Sequence, residues 1–435
     1  MVRQGLQPLR LPDTYYGRTA SAEPERAPLS GACVADACVI GGGLAGLSAA
    51  LELARRGRRV CLLEAARIGW GASGRNGGFV SPGYSTGFER IARRVGLNAA
   101  RELHRLSIEG AESVASNIAE FGLDDVRHAD GILSVARHEA AARLQAHRDW
   151  LEREFDYRLD YRTREQVQAE LCSRRYYQGL YNPRGFHIHP LNYARGLARA
   201  IERLGGSVHE GSRALTIGAS DAGTRIETKA GAVTCRDLVV ACGGYTDALV
   251  PELRRSFLPV ATYVMLTQAD PALIATAIRT RAAIGDHRRA GDYYRLVDGG
   301  ARILWGGRIT TQTSEPGRLA RLLHRTMIST YPQLHALEVD CAWSGLMAYA
   351  RHLMPQIGRL RQGLWYCTAF GGHGLNTTAI GGRVIAEAIT GHSDRYRAFE
   401  GFGLSWNGGA AGRAAVQATY WALQAGDFLR EHRPA

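Results

Sequence analysis

A stretch near the N-terminus, ACVIGGGLAGLSAALELARRGRRVCLLEA (residues 37–65), reads as a strand, a glycine loop, a helix and a second strand. Gly41, Gly43 and Gly46 follow the GxGxxG spacing. In this pattern the first glycine permits a tight turn, the second lets the backbone approach a pyrophosphate, and the third lets the helix pack close to the strand. The first helical turn, with Leu44 and Ala45, then offers N–H groups to the phosphates. The stretch therefore predicts a Rossmann-type dinucleotide site.

The second strand ends on an acid, Glu64, which is followed by Ala65. A carboxylate at this position can accept both hydrogen bonds of an adenosine ribose, and it would repel the 2′-phosphate of NADP. NAD and FAD both satisfy this unit, so the choice between them needs further evidence.

The next segment, RIGWGASGRNGG (residues 67–78), has five glycines among twelve residues. Such a sequence predicts a loop with many N–H groups, suited to run along a long, charged ligand. An ordinary surface loop has the same composition, but this one starts beside the predicted ribose site. FAD, which lies extended through a protein, needs a second wall of this kind, and NAD does not. The predicted contacts are Gly71, Ala72, Ser73, Arg75, Asn76, Gly77 and Gly78.

Near the C-terminus, the apolar strand LWYCTAF (residues 364–370) leads into GGHGLNTT and an amphipathic helix that ends before Gly391. The pattern aims a helix N-terminus and its N–H donors at whatever lies in front of it. The N1–C2=O edge of a reduced flavin is a group that becomes anionic and would be stabilised there. The predicted flavin contacts are Gly371, Gly372, Gly374, Leu375 and Asn376, with His373 between them.

Five ordered segments together resemble the D-amino-acid-oxidase/sarcosine-oxidase (DAO) superfamily of flavoenzymes, and within it the γ-glutamylputrescine oxidoreductases. The resemblance runs from about residue 36 to residue 391. Its segments are VIGGGLAGLSAALELA, LEAARIGWGASGRNGG, GFHIHPLNYARGLARAI, DYYRLVDGGARILWGGR and FGGHGLNTTAIGGRVIAEAI.

The resemblance implies an α/β fold in which an FAD-binding Rossmann-type domain is interleaved with an antiparallel-sheet substrate domain. It also implies oxidation of a C–H bond beside an amine nitrogen, with hydride transfer to flavin N5 and hydrolysis of the resulting imine. Ala214 would meet the adenine through its backbone. The strand end at Ala241, Cys242 and Gly243 would lie beside the ribose or the pyrophosphate.

The chain is expected to alternate between the two domains. The predicted segments are an N-terminal arm (1–35), three FAD-binding parts (36–84, 171–255 and 342–400), a helical insertion that begins the substrate domain (85–170), a second substrate part with the antiparallel sheet (256–341) and a C-terminal helix (401–435). Strands that form a roof over the flavin, called the roof strands, are expected at residues 292–297 and 302–306, where polar and apolar residues alternate.

Three departures from the resembled family bear on the chemistry. The only lysine, Lys229, sits in a predicted hairpin turn, so the lysine that relatives carry near flavin N5 for oxygen activation is absent. The electron acceptor could therefore be O2 or another molecule. Residues 345–349 hold no cysteine, so the FAD is expected to be non-covalent. Asn376 replaces a carboxylate-binding lysine, which disfavours N-methylglycine as substrate.

The candidate catalytic residues are His373, Tyr294 and Arg351. His373 lies between glycines at a helix N-terminus, where it could face flavin and substrate or serve as a spacer bonded to backbone. Tyr294 and Arg295 belong to a roof strand whose side chains alternate, so at most one can reach the substrate. Arg351 lies in the loop before Met354 and Pro355, at the end of the site where the flavin is expected.

Composition and charge limit the kinds of partner and compartment expected for the chain. The chain of 435 residues has a net charge of +13 without a basic run of five or more, so a nucleic-acid partner is disfavoured. No apolar run is long enough to span a membrane and no secretory signal is evident, which predicts a cytoplasmic protein. The eight scattered cysteines indicate neither a disulfide framework nor a metal site. The C-terminal segment 410–431 is expected to pack on the protein's own surface.

The most favoured function is thus an FAD-dependent amine or amino-acid oxidoreductase acting on a small molecule, similar to γ-glutamylputrescine oxidases. An L-pipecolate or N-alkyl amino acid oxidase or dehydrogenase remains open. A flavin-dependent tRNA-modifying protein is the alternative from another class, because a related flavin domain acts on aminomethyl groups in tRNA.

Overall fold

A computed structural model describes residues 11–126, 129–288, 291–311 and 316–431. Its strands are β1 (Gly31–Ile40), β2 (Val60–Leu63), β3 (Phe79–Val80), β4 (Ala129–Val135), β5 (Asp160–Arg162), β6 (Gly179–His187), β7 (Ser207–His209), β8 (Thr216–Ser220), β9 (Gly223–Glu227), β10 (Gly231–Val240), β11 (Phe257–Thr267), β12 (Ala283–Asp286), β13 (Tyr293–Val297), β14 (Arg302–Thr310), β15 (Val339–Ala350), β16 (Gln356–Arg361) and β17 (Leu364–Thr368). Its helices are α1 (Tyr15–Thr19), α2 (Leu44–Arg55), α3 (Phe88–Val95), α4 (Leu97–Glu120), α5 (Ala141–Phe155), α6 (Arg164–Glu170), α7 (Pro190–Arg203), α8 (Pro251–Arg254), α9 (Pro271–Ala275), α10 (Pro316–Thr330), α11 (Gly374–Ile389) and α12 (Gly409–Glu431).

The first sheet is the Rossmann-type sheet, with strand order β16-β17-β10-β1-β2-β7. The pairs β1/β2, β1/β10, β2/β7 and β10/β17 are parallel, while β8 and β9 extend the sheet as an antiparallel hairpin next to β10. Because β1 lies between β2 and β10, the loops after these strands meet at one edge. Ligands of open parallel sheets bind at such a carboxyl edge.

The second sheet has the order β15-β11-β14-β13-β12-β4-β6-β3, with β5 beside β6. Its pairs are antiparallel except for β12/β4, which is parallel. The predicted roof strands correspond to β13 and β14. The predicted fold class, a Rossmann-type domain interleaved with a largely antiparallel sheet, is confirmed.

Three helices approach one another closely where α11 begins and runs across the Rossmann-type domain. A Cβ on Gly382 of α11 would lie 2.4 Å from the Ala49 backbone nitrogen of α2, and a Cβ on Gly110 of α4 would lie 2.3 Å from the Asn376 carbonyl oxygen. Side chains at these two positions would push the helices apart. The two glycines thus allow α11 to pack closely against α2 and α4.

The sheets do not follow the segment boundaries expected from the sequence. The predicted helical insertion also contains β4 and β5, and β6 pairs with β4 in the second sheet instead of joining the Rossmann-type sheet. The second sheet also extends beyond residue 341, since β15 pairs with β11 up to Ala350. Local patterning predicts a strand but not which distant strand it will pair with.

Within the described ranges, no helix combines the length and apolarity that crossing a membrane requires.

Candidate cofactor and active site

The glycine loop after β1 is packed too tightly for side chains. Gly41 has φ +114°, and a Cβ there would lie 2.7 Å from the Ala241 carbonyl oxygen. A Cβ on Gly46 would lie 2.0 Å from the Gly41 carbonyl oxygen. Gly43 is the N-cap of α2, so the N–H groups of Ala45 and Gly46 have no acceptor inside the helix. The loop therefore presents backbone donors at the carboxyl edge of the sheet.

Glu64, at the end of β2, faces this loop. Its Oε2 accepts the Gly42 N–H at 2.6 Å and its Oε1 accepts the Ala66 N–H at 2.7 Å. Removal from water raises the pKa of the Glu64 carboxyl, and these backbone hydrogen bonds oppose the rise. The carboxylate is thus fixed in orientation beside the glycine loop and the exposed Ala65, and it keeps lone pairs that a ribose could use.

The glycine-rich segment 67–78 folds back over the start of α2. The Ser73 hydroxyl accepts the Leu44 N–H at 2.9 Å. The Asn76 side chain donates to the carbonyl oxygens of Ala72 (3.1 Å) and Ser73 (2.9 Å) and accepts the Gly78 N–H (2.8 Å). The Ser73 and Asn76 side chains therefore shape the loop itself, and their predicted contribution to a ligand comes through the backbone they hold in place.

Arg75 is the side chain of this segment that still lacks a partner for one of its donors. Its guanidinium lies over the Trp70 ring, 4.5 Å from the centroid, and donates to the Trp70 carbonyl (2.7 Å) and the Ser344 carbonyl (3.2 Å). Its Nη2 is buried and has no hydrogen-bond partner in the described protein. Burial lowers the pKa of Arg75. A buried cationic donor without an acceptor fits the binding of an anionic cofactor.

The remaining predicted dinucleotide contacts lie around the same edge. Ser212 donates its N–H to the Glu64 carbonyl at 2.7 Å, which brings the buried Ala214 near the end of β2. Ala241 donates to the Ile40 carbonyl at 2.9 Å, and Gly243 opens a short helical turn with φ +55°. Burial raises the pKa of the Cys242 thiol to about 12, so this cysteine is neutral at neutral pH.

The glycine turn before α11 packs against β15 and the segment that follows β3. Gly371 has φ +62°, and a Cβ there would lie 2.5 Å from the Ser85 hydroxyl and 3.2 Å from the Tyr349 ring. A Cβ on Gly372 would lie 2.9 Å from the Tyr349 hydroxyl. Gly374 begins α11 and has no atom within 4 Å of its Cβ position. The turn thus presents the N-terminus of α11 beside a phenol from the second sheet.

His373 and Asn376 use their polar groups within the protein. The Nε2 of His373 lies 2.9 Å from the Ser81 carbonyl, and burial lowers the pKa of the imidazole, which keeps it neutral. The buried Asn376 side chain donates to the carbonyls of Gly83 (3.1 Å) and Ser107 (3.3 Å). Both side chains therefore tie the turn, with the adjacent buried Leu375, to the segment at residues 81–83. This geometry favours the spacer interpretation of His373.

Tyr294 does not reach this site. It is fully buried on the other face of the second sheet, where its ring stacks on Trp305 with centroids 4.1 Å apart. Its hydroxyl bonds those of Tyr331 (2.6 Å) and Tyr176 (3.1 Å). Side chains alternate along β13, so Arg295 takes the opposite face. This placement does not support the catalytic role predicted for Tyr294.

Arg295 is occupied by hydrogen bonds within the protein, and Arg351 lies in an exposed turn. Arg295 is buried and donates to the carbonyls of Gly77 (2.8 Å) and Ile188 (2.9 Å), which joins the second sheet to the glycine-rich segment. Arg351 is exposed in the turn that follows β15.

Sequence reasoning missed two tyrosines on the site-facing surface of the second sheet. Tyr349 lies beside Gly371 and Gly372, as described above. The Tyr293 ring packs edge-on against Phe79, with centroids 5.7 Å apart, and lies 2.7 Å from a Cβ position on Gly77. Burial raises the pKa of Tyr349 and raises that of Tyr293 to about 12, so both phenols are neutral. The alternation along β15 would have placed Tyr349 on the face of Gly345, which lies over Ala72.

Comparisons with known proteins agree with this arrangement. The model of the DAO family, FAD dependent oxidoreductase, matches residues 36–388. The γ-glutamylputrescine oxidoreductase of Escherichia coli (strain K12) is 34% identical over 388 residues, which covers 89% of this chain and 91% of that protein. Among solved structures, glycine oxidase from Geobacillus kaustophilus has a TM-score of 0.72 at 21% identity, covering 86% of this chain and 99% of that one. L-proline dehydrogenase from P. horikoshii has a TM-score of 0.71 at 18% identity, covering 88% of this chain and 100% of that one.

Proposed function

Because this chain belongs to the DAO family of FAD-dependent oxidoreductases, we propose that its substrate is a γ-glutamylputrescine-like amine, oxidised at the carbon beside its amine nitrogen. The proposed substrate class is supported by the 34% identity to γ-glutamylputrescine oxidoreductase across about nine-tenths of both chains. The turn before α11, Tyr349 beside this turn and Tyr293 beside Gly77 support the place of the reaction.

We assign FAD to the carboxyl edge of the Rossmann-type sheet. Glu64 would hold the ribose, and the N–H groups of Ala45 and Gly46 would hold the pyrophosphate. The unpartnered Nη2 of Arg75 fits an anionic or carbonyl group of the cofactor, since a buried guanidinium donor without an acceptor is costly. FAD supplies the acceptor for the hydride that leaves the substrate carbon.

The protein's own contribution is orientation and exclusion of water. The backbone N–H groups at the start of α11 would stabilise negative charge that develops in front of them. Tyr293 and Tyr349 are neutral and largely out of water, and they would form an apolar and phenolic wall for the substrate. Such a wall disfavours the charged ammonium form and favours the neutral amine that reacts. The imine product needs only water for hydrolysis.

Anaerobic mixing of the purified holoenzyme with a panel of amines tests the proposal. A γ-glutamyl or other N-acylated diamine is expected to bleach the flavin absorbance, and pipecolate and N-alkyl amino acids provide the alternative arms. An amine with no hydrogen on the carbon beside its nitrogen, such as tert-butylamine, is the chemical control. Bleaching by amino acids alone would replace the diamine assignment, and no bleaching by any arm would contradict the proposed reaction.

We expect the FAD to be bound without a covalent link. Residues 345–349 belong to β15, and Gly345 among them lies over Ala72. These five residues contain neither cysteine nor histidine that could form the bond. Acid precipitation of the yellow protein should therefore leave the colour in the supernatant. A yellow pellet that survives washing would contradict this expectation.

A further inference from the structure

The C-terminal helix α12 lies beyond residue 388, where the match to the family model ends. Its half-buried positions follow a helical spacing and so form one face of the helix. They include Val416, Gln417, Tyr420, Leu423, Gln424, Asp427 and Glu431. The opposite face is in water, with Trp421 60% exposed and Phe428 62% exposed. One defined face of α12 therefore rests on the rest of the protein.

Hydrogen bonds attach the first half of α12 to the second sheet. Just before the helix, Asn407 donates its side-chain amide to the Phe257 carbonyl at 2.6 Å. Further along, the Gln417 side-chain oxygen accepts the Thr310 hydroxyl (3.0 Å) and the Thr311 N–H (3.2 Å). The helix thus passes from the start of β11 to the end of β14.

An ion-pair cluster holds the other end. Glu431 lies 3.1 Å from Nε of Arg137, 3.5 Å from Arg175 and 3.6 Å from Arg288. The Arg137 side chain is 2% exposed, so water and salt screen this pair poorly. Arg137 follows β4 and Arg288 follows β12. The helix therefore extends along the sheet edge from β11 to β4.

This path places Tyr420 on the half-buried face of α12, near Tyr349. A Cβ on Gly412 would lie 3.8 Å from the Leu258 side chain, and Leu258 pairs across the strands with Tyr349. Tyr420 is two helical turns further along the same face of α12. Its phenol interacts with that of Tyr349 and adds to the pKa increase that burial causes there. Tyr349 in turn lies against Gly371 and Gly372.

We propose that α12 forms one wall of the substrate entrance and that Tyr420 is a specificity-determining residue, which limits the size of the group distant from the reacting nitrogen. The inference rests on the proposed function for its substrate class. Its structural part, the docking of α12 through Glu431, is independent of what the enzyme oxidises.

The specificity test compares Tyr420→Ala with Trp421→Ala, a change at the neighbouring position on the exposed face. Anaerobic flavin reduction is followed with N-acyl diamines that share the reacting end and carry progressively larger acyl groups. Removal of the Tyr420 ring should improve kcat/KM for the largest acyl group on the order of tenfold relative to the smallest. Trp421→Ala should leave the ratio unchanged. An unchanged ratio in Tyr420→Ala, or an equal change in both variants, would overturn the assignment.

A second measurement needs no substrate. Hydrogen exchange of the FAD-loaded protein is compared between Glu431→Gln and Arg430→Gln, since Arg430 pairs with Asp427 within the helix. Loss of the Glu431 charge should speed exchange of α12 amides several-fold, and Arg430→Gln should change it far less. If the wild-type flavin is reduced by no amine, the proposed function fails while this exchange result still decides the docking of α12. Equal exchange in both variants would overturn the docking.

Discussion

The Gly46→Ala variant is expected to lose most of its FAD on purification. The added Cβ would lie 2.0 Å from the Gly41 carbonyl oxygen, a distance that real contacts do not reach, so the loop or the start of α2 must move. Overpacking of this kind costs about 1–3 kcal/mol. If the cost falls on the bound state, FAD affinity drops roughly tenfold to a hundredfold. The ratio of flavin to protein absorbance after dialysis, followed by FAD titration, measures the effect.

Gly218→Ala is the matched control for that change. Gly218 is exposed in β8, has no atom within 4 Å of its Cβ position and should keep full FAD content. A Gly46→Ala protein that retains stoichiometric FAD after dialysis would contradict the assignment of the loop. Gly43→Val is a less specific test, because a Cβ there would lie 2.9 Å from the Ser73 hydroxyl that accepts the Leu44 N–H. Loss of FAD in that variant would point to a clash with the cofactor or with Ser73.

The glycine loop was predictable because its pattern is local. A strand, three spaced glycines and a helix lie within residues 31–55, and their geometry is set by short-range sterics. The acid at the end of β2 was predictable for the same reason. The family resemblance then identified FAD and the interleaved second sheet, which the fold and the family match confirm.

Other features depended on contacts between distant segments. Strand β6 pairs in the second sheet because β4 lies next to it, and no pattern within residues 179–187 indicates that partner. Tyr294 was misplaced because alternation shows that two neighbours point to opposite faces but not which face meets the cofactor. The side chains of His373 and Asn376 are occupied by carbonyls of residues 81, 83 and 107, far away in sequence.

The Gly371→Ala variant should reduce its flavin on the order of a hundredfold more slowly than wild type while retaining FAD. Gly371 has φ +62°, where an L-residue is strained by roughly 1–2 kcal/mol, and its Cβ would meet Ser85 and Tyr349. The turn would then move, and with it the N–H donors at the start of α11. Loss of a preorganised donor typically slows a reaction about a hundredfold or more. Anaerobic stopped-flow reduction by the best amine of the panel measures the rate.

Two further variants separate the backbone from the imidazole. Gly218→Ala, an exposed change whose Cβ has no atom within 4 Å, should react at the wild-type rate. The rate of flavin reduction in His373→Ala should fall less than about tenfold. The neutral ring is hydrogen-bonded to the Ser81 carbonyl and is therefore not free to transfer a proton. A hundredfold loss in His373→Ala with an unaffected Gly371→Ala would reverse the assignment and make the imidazole, instead of the backbone turn, the group on which the reaction depends.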